Sequence, residues 1–330
     1  MLRWGLAAFG GLAAFGGLAA TLYLTNASWI ADLGSTAEAQ LIAHRGVHQT
    51  YHRENLANDT CTATRIDPPT HSYLENTIAS MKKAVELGAD VVEIDIHPTT
   101  DGKLAVFHDW TLECRSNGSG ETRSKSMSDL KALDIGWGYT ADGGQSFPFR
   151  GTGIGLMPEL TEVFDALPEA KFLINYKSKQ ALEAERFVAF LQQQPERLDQ
   201  VWGVYGHPVP VNYTLARVPN LHSFTKQQTK QCLKNYFLFG WSGYVPSQCR
   251  ETVIGVPSDY TWMVWGWPHR FAARLKAQGS TVIAMGPVGD SQACDGLDSE
   301  DTYRPLQNFE GYIWTNKIEV IGPIAQTDRP

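Results

Sequence analysis

The sequence predicts an α/β fold, and three observations carry that prediction. Short apolar runs alternate with helical stretches, as in a parallel sheet wrapped by helices. Eight or nine strand candidates fall within about 290 residues, which suits a closed barrel better than an open sheet. Several of these runs end on a carboxylate, an imidazole or an amide rather than on another apolar residue. Together they point to a (β/α)8 TIM barrel, with an N-terminal transmembrane helix ahead of it.

The chain has 330 residues, 43% of them hydrophobic, enough for one large core. Its formal charge of -7 argues against electrostatic attraction to nucleic acid, so no nucleic-acid partner is expected. Residues 1–26 stand apart. "WGLAAFGGLAAFGGLAATLYL", Trp4 to Leu24, carries no charge and has about the roughly 20 residues that a spanning helix needs. Its Gly and Ala residues recur at small-xxx-small spacing. Arg3 before the run, with Asp32 and Glu38 after it, places the N-terminus inside and the body outside the cytoplasm. A cleaved signal peptide is the alternative, with "STAEAQ" as its small-residue site. Either way the body is exported. Residues 27–40 read as a linker and 41–325 as the barrel.

Export permits disulfides. The five cysteines are Cys61, Cys114, Cys232, Cys249 and Cys294. The odd count leaves at least one unpaired within the chain. Cys232 and Cys249 flank one aromatic loop that a bridge would close. Cys61 and Cys114 both sit in loops near the suspected site. No tight Cys-x-x-Cys pair suggests zinc.

"LIAHRG" is the first strand and ends on His44-Arg45-Gly46. "LENTIASMKKAVELGAD" has helical periodicity, with Ile78, Met81, Ala84, Val85 and Leu87 on one face and Gly88 as its stop. "VVEIDI" and "KLAVFH" are strands joined by the turn "TTDGK". A Gly/Ser-rich loop leads to a helical "MSDLKALD". "MPELTEVFDAL" is a helix with Pro158 near its start. "KFLINYK" is a strand and "ALEAERFVAFLQQQ" an amphipathic helix. "VWGVYG", "LHSFT", "TVIGVP", "TVIAMG" and "GYIWTN" are further strands, and "HRFAARLKAQG" is a helix that a Gly closes. "GTGIG" has the wrong spacing and context for a nucleotide loop.

Polar residues then fall into place. His44 ends the first strand, Glu93 and Asp95 lie on the second, His108 ends the third, and Asn175 and Lys177 lie on the fourth. In a barrel, the C-terminal ends of parallel strands converge on one mouth. Glu93 and Asp95 are two apart and face the same side. Close like charges repel unless a cation lies between them, and hard carboxylates suggest Mg2+ or Ca2+. Two histidines flanking a substrate serve as base and acid. Arg45 and Lys177 supply fixed positive charge for phosphate oxygens. Acid, base, metal and phosphate clamps together suggest phosphodiester cleavage. Taken singly, a strand Glu usually faces solvent. His97, followed by Pro98, reads as a loop residue. Asp109 reads as orienting His108 or capping the turn.

The ordered motifs "HRG", "LENT", "EIDIHPTTDGKLAVFHDWTL", "NGSG" and "MSDLKALD" resemble the glycerophosphodiester phosphodiesterase family from Leu41 to Lys177. "GYIWTN" extends the likeness weakly. The resemblance implies a TIM barrel, one divalent cation, and hydrolysis of a glycerophosphodiester to glycerol 3-phosphate and an alcohol. By position it makes His44 and His108 the acid/base pair. Arg45, Lys177, Glu75 and Asn76 become substrate-site residues, and Glu93 and Asp95 metal ligands. One departure stands out. The family's fourth strand usually carries a metal-binding Glu where this chain has Asn175, a neutral donor. That predicts a weaker metal site, with Asn175 as third ligand. The alternative that the resemblance leaves open is a lysophospholipase D or sphingomyelinase D type lipid phosphodiesterase, and a non-catalytic headgroup-binding module is the contrasting reading.

The long insert between Gly46 and Glu75 follows the first strand and is expected over the mouth as part of a lid. "YTWMVWGWPHRF" contains Trp262, Trp265 and Trp267. Trp at this density is core or lid packing, or else a lipid interface or a choline cage. The expected partners are a small-molecule or lipid phosphodiester and a membrane; the oligomeric state is open.

Overall fold

The computed structural model describes residues 16–32, 37–57, 60–289 and 293–328. Eight parallel strands form the barrel: β1 (Gln40–His44), β2 (Val91–Pro98), β4 (Phe172–Tyr176), β5 (Val201–Gly206), β6 (His222–Thr225), β7 (Val253–Pro257), β8 (Thr281–Met285) and β9 (Tyr312–Thr315). They are ordered β6-β5-β4-β2-β1-β9-β8-β7. At the seam between the two end strands, the Thr252 hydroxyl donates to the Ser223 carbonyl at 3.1 Å.

The third strand of the sequence reading is not a stave. β3 (Leu104–Val106) pairs antiparallel with the end of β2. β2 therefore runs on through His97 and Pro98. His97, expected in a loop, is fully buried on this strand with its ring 6.0 Å from that of Trp110. Pro98 is tolerated because it ends the hairpin, where a missing N–H costs little. The hairpin also lifts His108 above the barrel end rather than leaving it on a stave.

Side-chain alternation sorts the core. On β2, Val92, Ile94 and Ile96 face outward into the layer between sheet and helices. Ile42 of β1, Val91 of β2 and Leu173 of β4 share a cluster inside the barrel with Val253 and Ile283. One step further along the same inward rows come His44, Glu93 and Asn175. The apolar plug therefore fills the barrel's lower half, and polar residues are confined to its mouth.

The helices Ile78–Glu86, Leu160–Ala166, Leu182–Gln193 and His269–Lys276 fall where periodicity placed them. Met81 and Ala84 are buried as expected, whereas Val85 is exposed. Gly88 closes its helix at φ +95°. Helices at Pro208–Leu215, Lys226–Phe239 and Ile318–Asp328 were not foreseen.

The expected spanning segment, Trp4 to Leu24, lies largely in residues 1–15, outside the described residues. Residues 16–26 are helical. Among the described residues, no helix is long and apolar enough to cross a membrane. Within the expected linker, Ser28–Asp32 is a short helix, and Ser28 Oγ accepts the His269 N–H at 2.9 Å.

Disulfides join Cys61 to Cys114 and Cys232 to Cys249, leaving Cys294 free. The first ties the insert after β1 to the loop after β3. A satellite core that includes Ile66, Leu74, Phe107 and Leu130 lies beneath both. Closing a 53-residue separation lowers the entropy of the unfolded chain, worth roughly 4 kcal/mol in the loop-entropy picture.

Candidate active site

Strand register builds the site. His44 of β1 sits opposite Glu93 of β2, and Asp95 sits opposite Asn175 of β4. The chain then turns sharply: Arg45 adopts φ +61° and Gly46 φ +77°. A Cβ at residue 46 would lie 2.3 Å from Ser80 Oγ, so only glycine fits. This tight crossing brings "HRG" against "LENT". The Asn76 N–H donates to the Arg45 carbonyl at 3.1 Å, and Thr77 caps the helix Ile78–Glu86.

Asp95 is held from four sides. Oδ2 accepts from Asn76 Nδ2 at 3.0 Å and lies 3.4 Å from Arg45 Nε. Oδ1 accepts from Asn175 Nδ2 at 2.8 Å and lies 3.3 Å from Lys177 Nζ. The Asp95 N–H returns a bond to Asn76 Oδ1 at 3.2 Å. Burial opposes its charge, but Lys177, His108 and Arg45 outweigh it and hold this carboxyl well below the usual range.

Glu93 is the opposite case. It is fully buried, and Oε1 accepts from the Tyr205 hydroxyl at 2.6 Å. Oε2 accepts no hydrogen bond and lies 3.9 Å from His44 Nε2. Burial and then the Asp95 charge push this carboxyl up to about 8. Arg45 and Lys177 offset only part of this cost, and a cation beside Glu93 would offset more of it.

The two histidines are each fixed through Nδ1. His44 Nδ1 is 2.6 Å from Asn316 Oδ1. The Asn316 amide nitrogen donates to Asp298 and Asp295, so its oxygen is left to accept from His44. His44 Nε2 therefore carries the lone pair. Burial, Arg45 and His48 hold this imidazole well below its ordinary value. His108 Nδ1 lies 2.7 Å from Asp109 Oδ1. Burial, Arg45 and Lys177 lower His108 to about 4.

Behind them, Glu75 accepts from Arg45 at 3.1 Å and from Arg115 at 3.1 Å. Arg115 also bonds Asp109, and it donates to Thr62 of the insert at 2.6 Å. Glu75 is thus held below its usual range, with Arg115 and Arg45 overcoming burial. A continuous ion chain runs from His108 through Asp109, Arg115 and Glu75 to Arg45.

His44, Arg45, His108, Asn175 and Lys177 line one cavity of about 1220 Å3. Glu75, Asn76, Glu93 and Asp95 lie buried around it. The insert forms part of its wall through Tyr51, Leu56 and Thr62. Asn316, Arg115 and Tyr205 belong to the site and were missed in the sequence. Asn316 could have been found, since it follows the last strand as the other site residues follow theirs.

The donor set fits a hard divalent cation. Two adjacent carboxylates, one with an unsatisfied buried oxygen, stand beside an amide. No trio of His, Cys, Asp or Glu converges among the described residues. In the structure Asn175 presents its amide N–H to Asp95, so holding a metal would require that amide to turn.

A barrel mouth with paired imidazoles, inward carboxylates and fixed cations has the chemistry to handle a phosphoester. The model of the glycerophosphoryl diester phosphodiesterase family matches residues 44–234, and the chain belongs to that family. It is 39% identical over 108 residues to a glycerophosphodiester phosphodiesterase of Caldanaerobacter subterraneus, covering 33% of this chain and 41% of that protein. The match thus spans about two fifths of that relative.

The fold is similar to the glycerophosphoryl diester phosphodiesterase domain of a Mycobacterium tuberculosis protein. The TM-score is 0.62 at 17% identity, with 88% of this chain and all of that one covered. It is also similar to an Oleispira antarctica phosphodiesterase solved with its product sn-glycerol-3-phosphate. There the TM-score is 0.53 at 17% identity, covering 87% and 97%.

Proposed function

We propose that the protein hydrolyses glycerophosphodiesters to glycerol 3-phosphate and an alcohol. The observation that carries this reading is the pair of histidines on one cavity, each with Nδ1 tied off and Nε2 left for chemistry. His44, held neutral with an Nε2 lone pair, takes a proton from the attacking water. The water oxygen bonds to phosphorus and the bond from phosphorus to the alcohol oxygen breaks. The departing oxygen receives a proton from His108. Asp109 stabilises the imidazolium that this role requires, as the carboxylate of a catalytic triad does. The negative phosphodiester offsets the Arg45 and Lys177 charges that depress His108 in the free protein.

Arg45 and Lys177 bind phosphate oxygens, while Glu75 and Asn76 hold Arg45 and Asp95 in place. Glu93, Asp95 and Asn175 would hold one divalent cation, Mg2+ or Ca2+, which when bound supplies charge stabilisation at the phosphate.

A second reading, a diester bearing a lipid chain, is favoured by the cavity itself. Its volume exceeds the roughly 300–1,000 Å3 usual for small-molecule sites. Phe224, Leu233, Met263, Met285 and Trp314 give it an apolar wall.

The two disulfides support placement in an oxidising compartment, and the apolar N-terminal segment supports attachment of the barrel to a membrane on the non-cytoplasmic side. A panel of glycerophosphodiesters and lysolipids, assayed with and without chelator, tests the reading. Chelator-sensitive turnover is expected; binding without turnover across the panel would leave only a headgroup-binding module.

A further inference from the structure

We infer that the flank of the barrel between helices Lys226–Phe239 and His269–Lys276 lies against a lipid bilayer. The helix Lys226–Phe239 ends in three consecutive exposed apolar residues, Phe237, Leu238 and Phe239, with exposed Trp241 just beyond. Trp262, on the turn Ser258–Met263, is 75% exposed. These residues form one patch. The Phe237 and Trp262 rings lie 5.9 Å apart, and Trp265 Nε1 donates to the Phe237 carbonyl at 2.9 Å. Trp267 of the same segment instead packs inward on Phe271 and Phe309. The tryptophan run therefore divides into a half-buried residue packed on the core and an exposed face. A contiguous apolar patch on a folded surface marks an interaction site.

What covers it follows from what adjoins it. Asn26, at the end of the apolar helical stretch 16–26, donates to the Trp241 carbonyl at 2.9 Å. Arg274 clamps the same junction, reaching Asn26 Oδ1 at 3.0 Å and the Thr25 carbonyl at 2.9 Å. Leu18, Tyr23 and Leu24 of that helix are exposed. The apolar surface of the N-terminal helix and the aromatic face of the barrel are thus continuous and pinned together. Tryptophan and tyrosine settle at the headgroup level of a bilayer, where one end is apolar and the other wet.

The patch also reaches the site. Tyr260, on the same turn as Trp262, lines the cavity. A lipid-borne diester would pass from the bilayer to the cavity along this turn.

The inference rests on the membrane attachment proposed above and is independent of catalysis. The full-length protein is reconstituted with phosphatidylcholine vesicles, plain or brominated, and its tryptophan emission recorded. Wild type is compared with W241F/W262F, and with W262F alone should the double variant melt early. A smaller bromolipid-quenched fraction of the emission in the variant than in wild type is expected. Equal quenching in wild type and variant overturns the inference. So does unchanged quenching with a wild-type dimer that the variant breaks to monomer, which would assign the patch to a second copy. Wild type that fails to float with vesicles sinks the attachment itself, a separable result.

Discussion

Two walls meet around the cavity, and they differ in kind. The wall built from β1, β2, β4, Arg45, Glu75 and the segment 108–115 is a lattice of charges that are largely buried. The wall built from β6 to β8 and the helix Lys226–Phe239 is mainly apolar, with lysines along its rim. Within the charged wall a second contrast appears: Asp95 is over-supplied with donors, while Glu93 keeps an oxygen with none. The lesson is that this protein's own cations neutralise one carboxylate and leave the other for a ligand to satisfy.

The largest test of the charged wall is removal of its chemistry. His108→Ala or His44→Ala is expected to lower kcat by roughly 10²–10⁴-fold, the usual worth of a positioned acid or base. Calorimetric affinity for Mg2+ or Ca2+ should change little for His108→Ala. A variant with wild-type turnover would break the assignment.

Stability supplies the next test. Arg115→Ala leaves the buried Glu75 and the half-buried Asp109 without their shared partner, which should cost about 3–5 kcal/mol in denaturant unfolding. A loss below 1 kcal/mol would show that the ion chain is dispensable.

The contrast between the carboxylates predicts a pH dependence. The folded protein raises Glu93 to about 8, so between its ordinary value and 8 the folded state binds the extra proton. Stability contributed by this group therefore falls as pH rises through that window. His44, His97 and His108 are lowered and act in the opposite sense, but only below about 6.5. In chelator, stability should thus fall between about pH 6.5 and 8. Glu93→Gln should remove the fall, and saturating Ca2+ or Mg2+ should reverse it in wild type only. Parallel melting curves for the two proteins would show that Glu93 carries no uncompensated charge.

Smaller effects sharpen the picture. Asn175→Glu should shift the activating metal concentration downward, since an anionic ligand replaces an amide. If it does not, Asn175 is not a ligand. On the apolar wall, Met263→Ser should lower kcat/KM for a lysolipid about ten-fold more than for a short-chain diester, in line with the worth of a hydrophobic pocket contact. Equal losses would make that wall structural.

The sequence reveals the charged wall better than the apolar one. Each stave is a short apolar run ending in a polar residue, so His44, Glu93, Asp95 and Asn175 announce themselves. His108 is also legible, although the strand that raises it, β3, reads as a stave and is instead an antiparallel hairpin arm. His97 misled because a residue before proline reads as loop, whereas here the hairpin with β3 extends the strand.

The supporting bonds were illegible for a different reason: Asn316 meets His44 across a separation of 272 residues and Arg115 meets Glu75 across 40. Such pairs are created by closure of the barrel, not by local pattern. The helix Lys226–Phe239 escaped notice because its first turn has no acidic residue and it opens on a polar stretch. Its N-cap, Thr225, was the available signal.

The most direct measurement is a phosphorus NMR spectrum of the reaction of wild-type protein with glycerophosphocholine and Mg2+ or Ca2+. One new open monoester signal, glycerol 3-phosphate, is expected, absent in chelator and absent with His108→Ala. A cyclic phosphate as end product, or a monoester formed equally well in chelator, would contradict it.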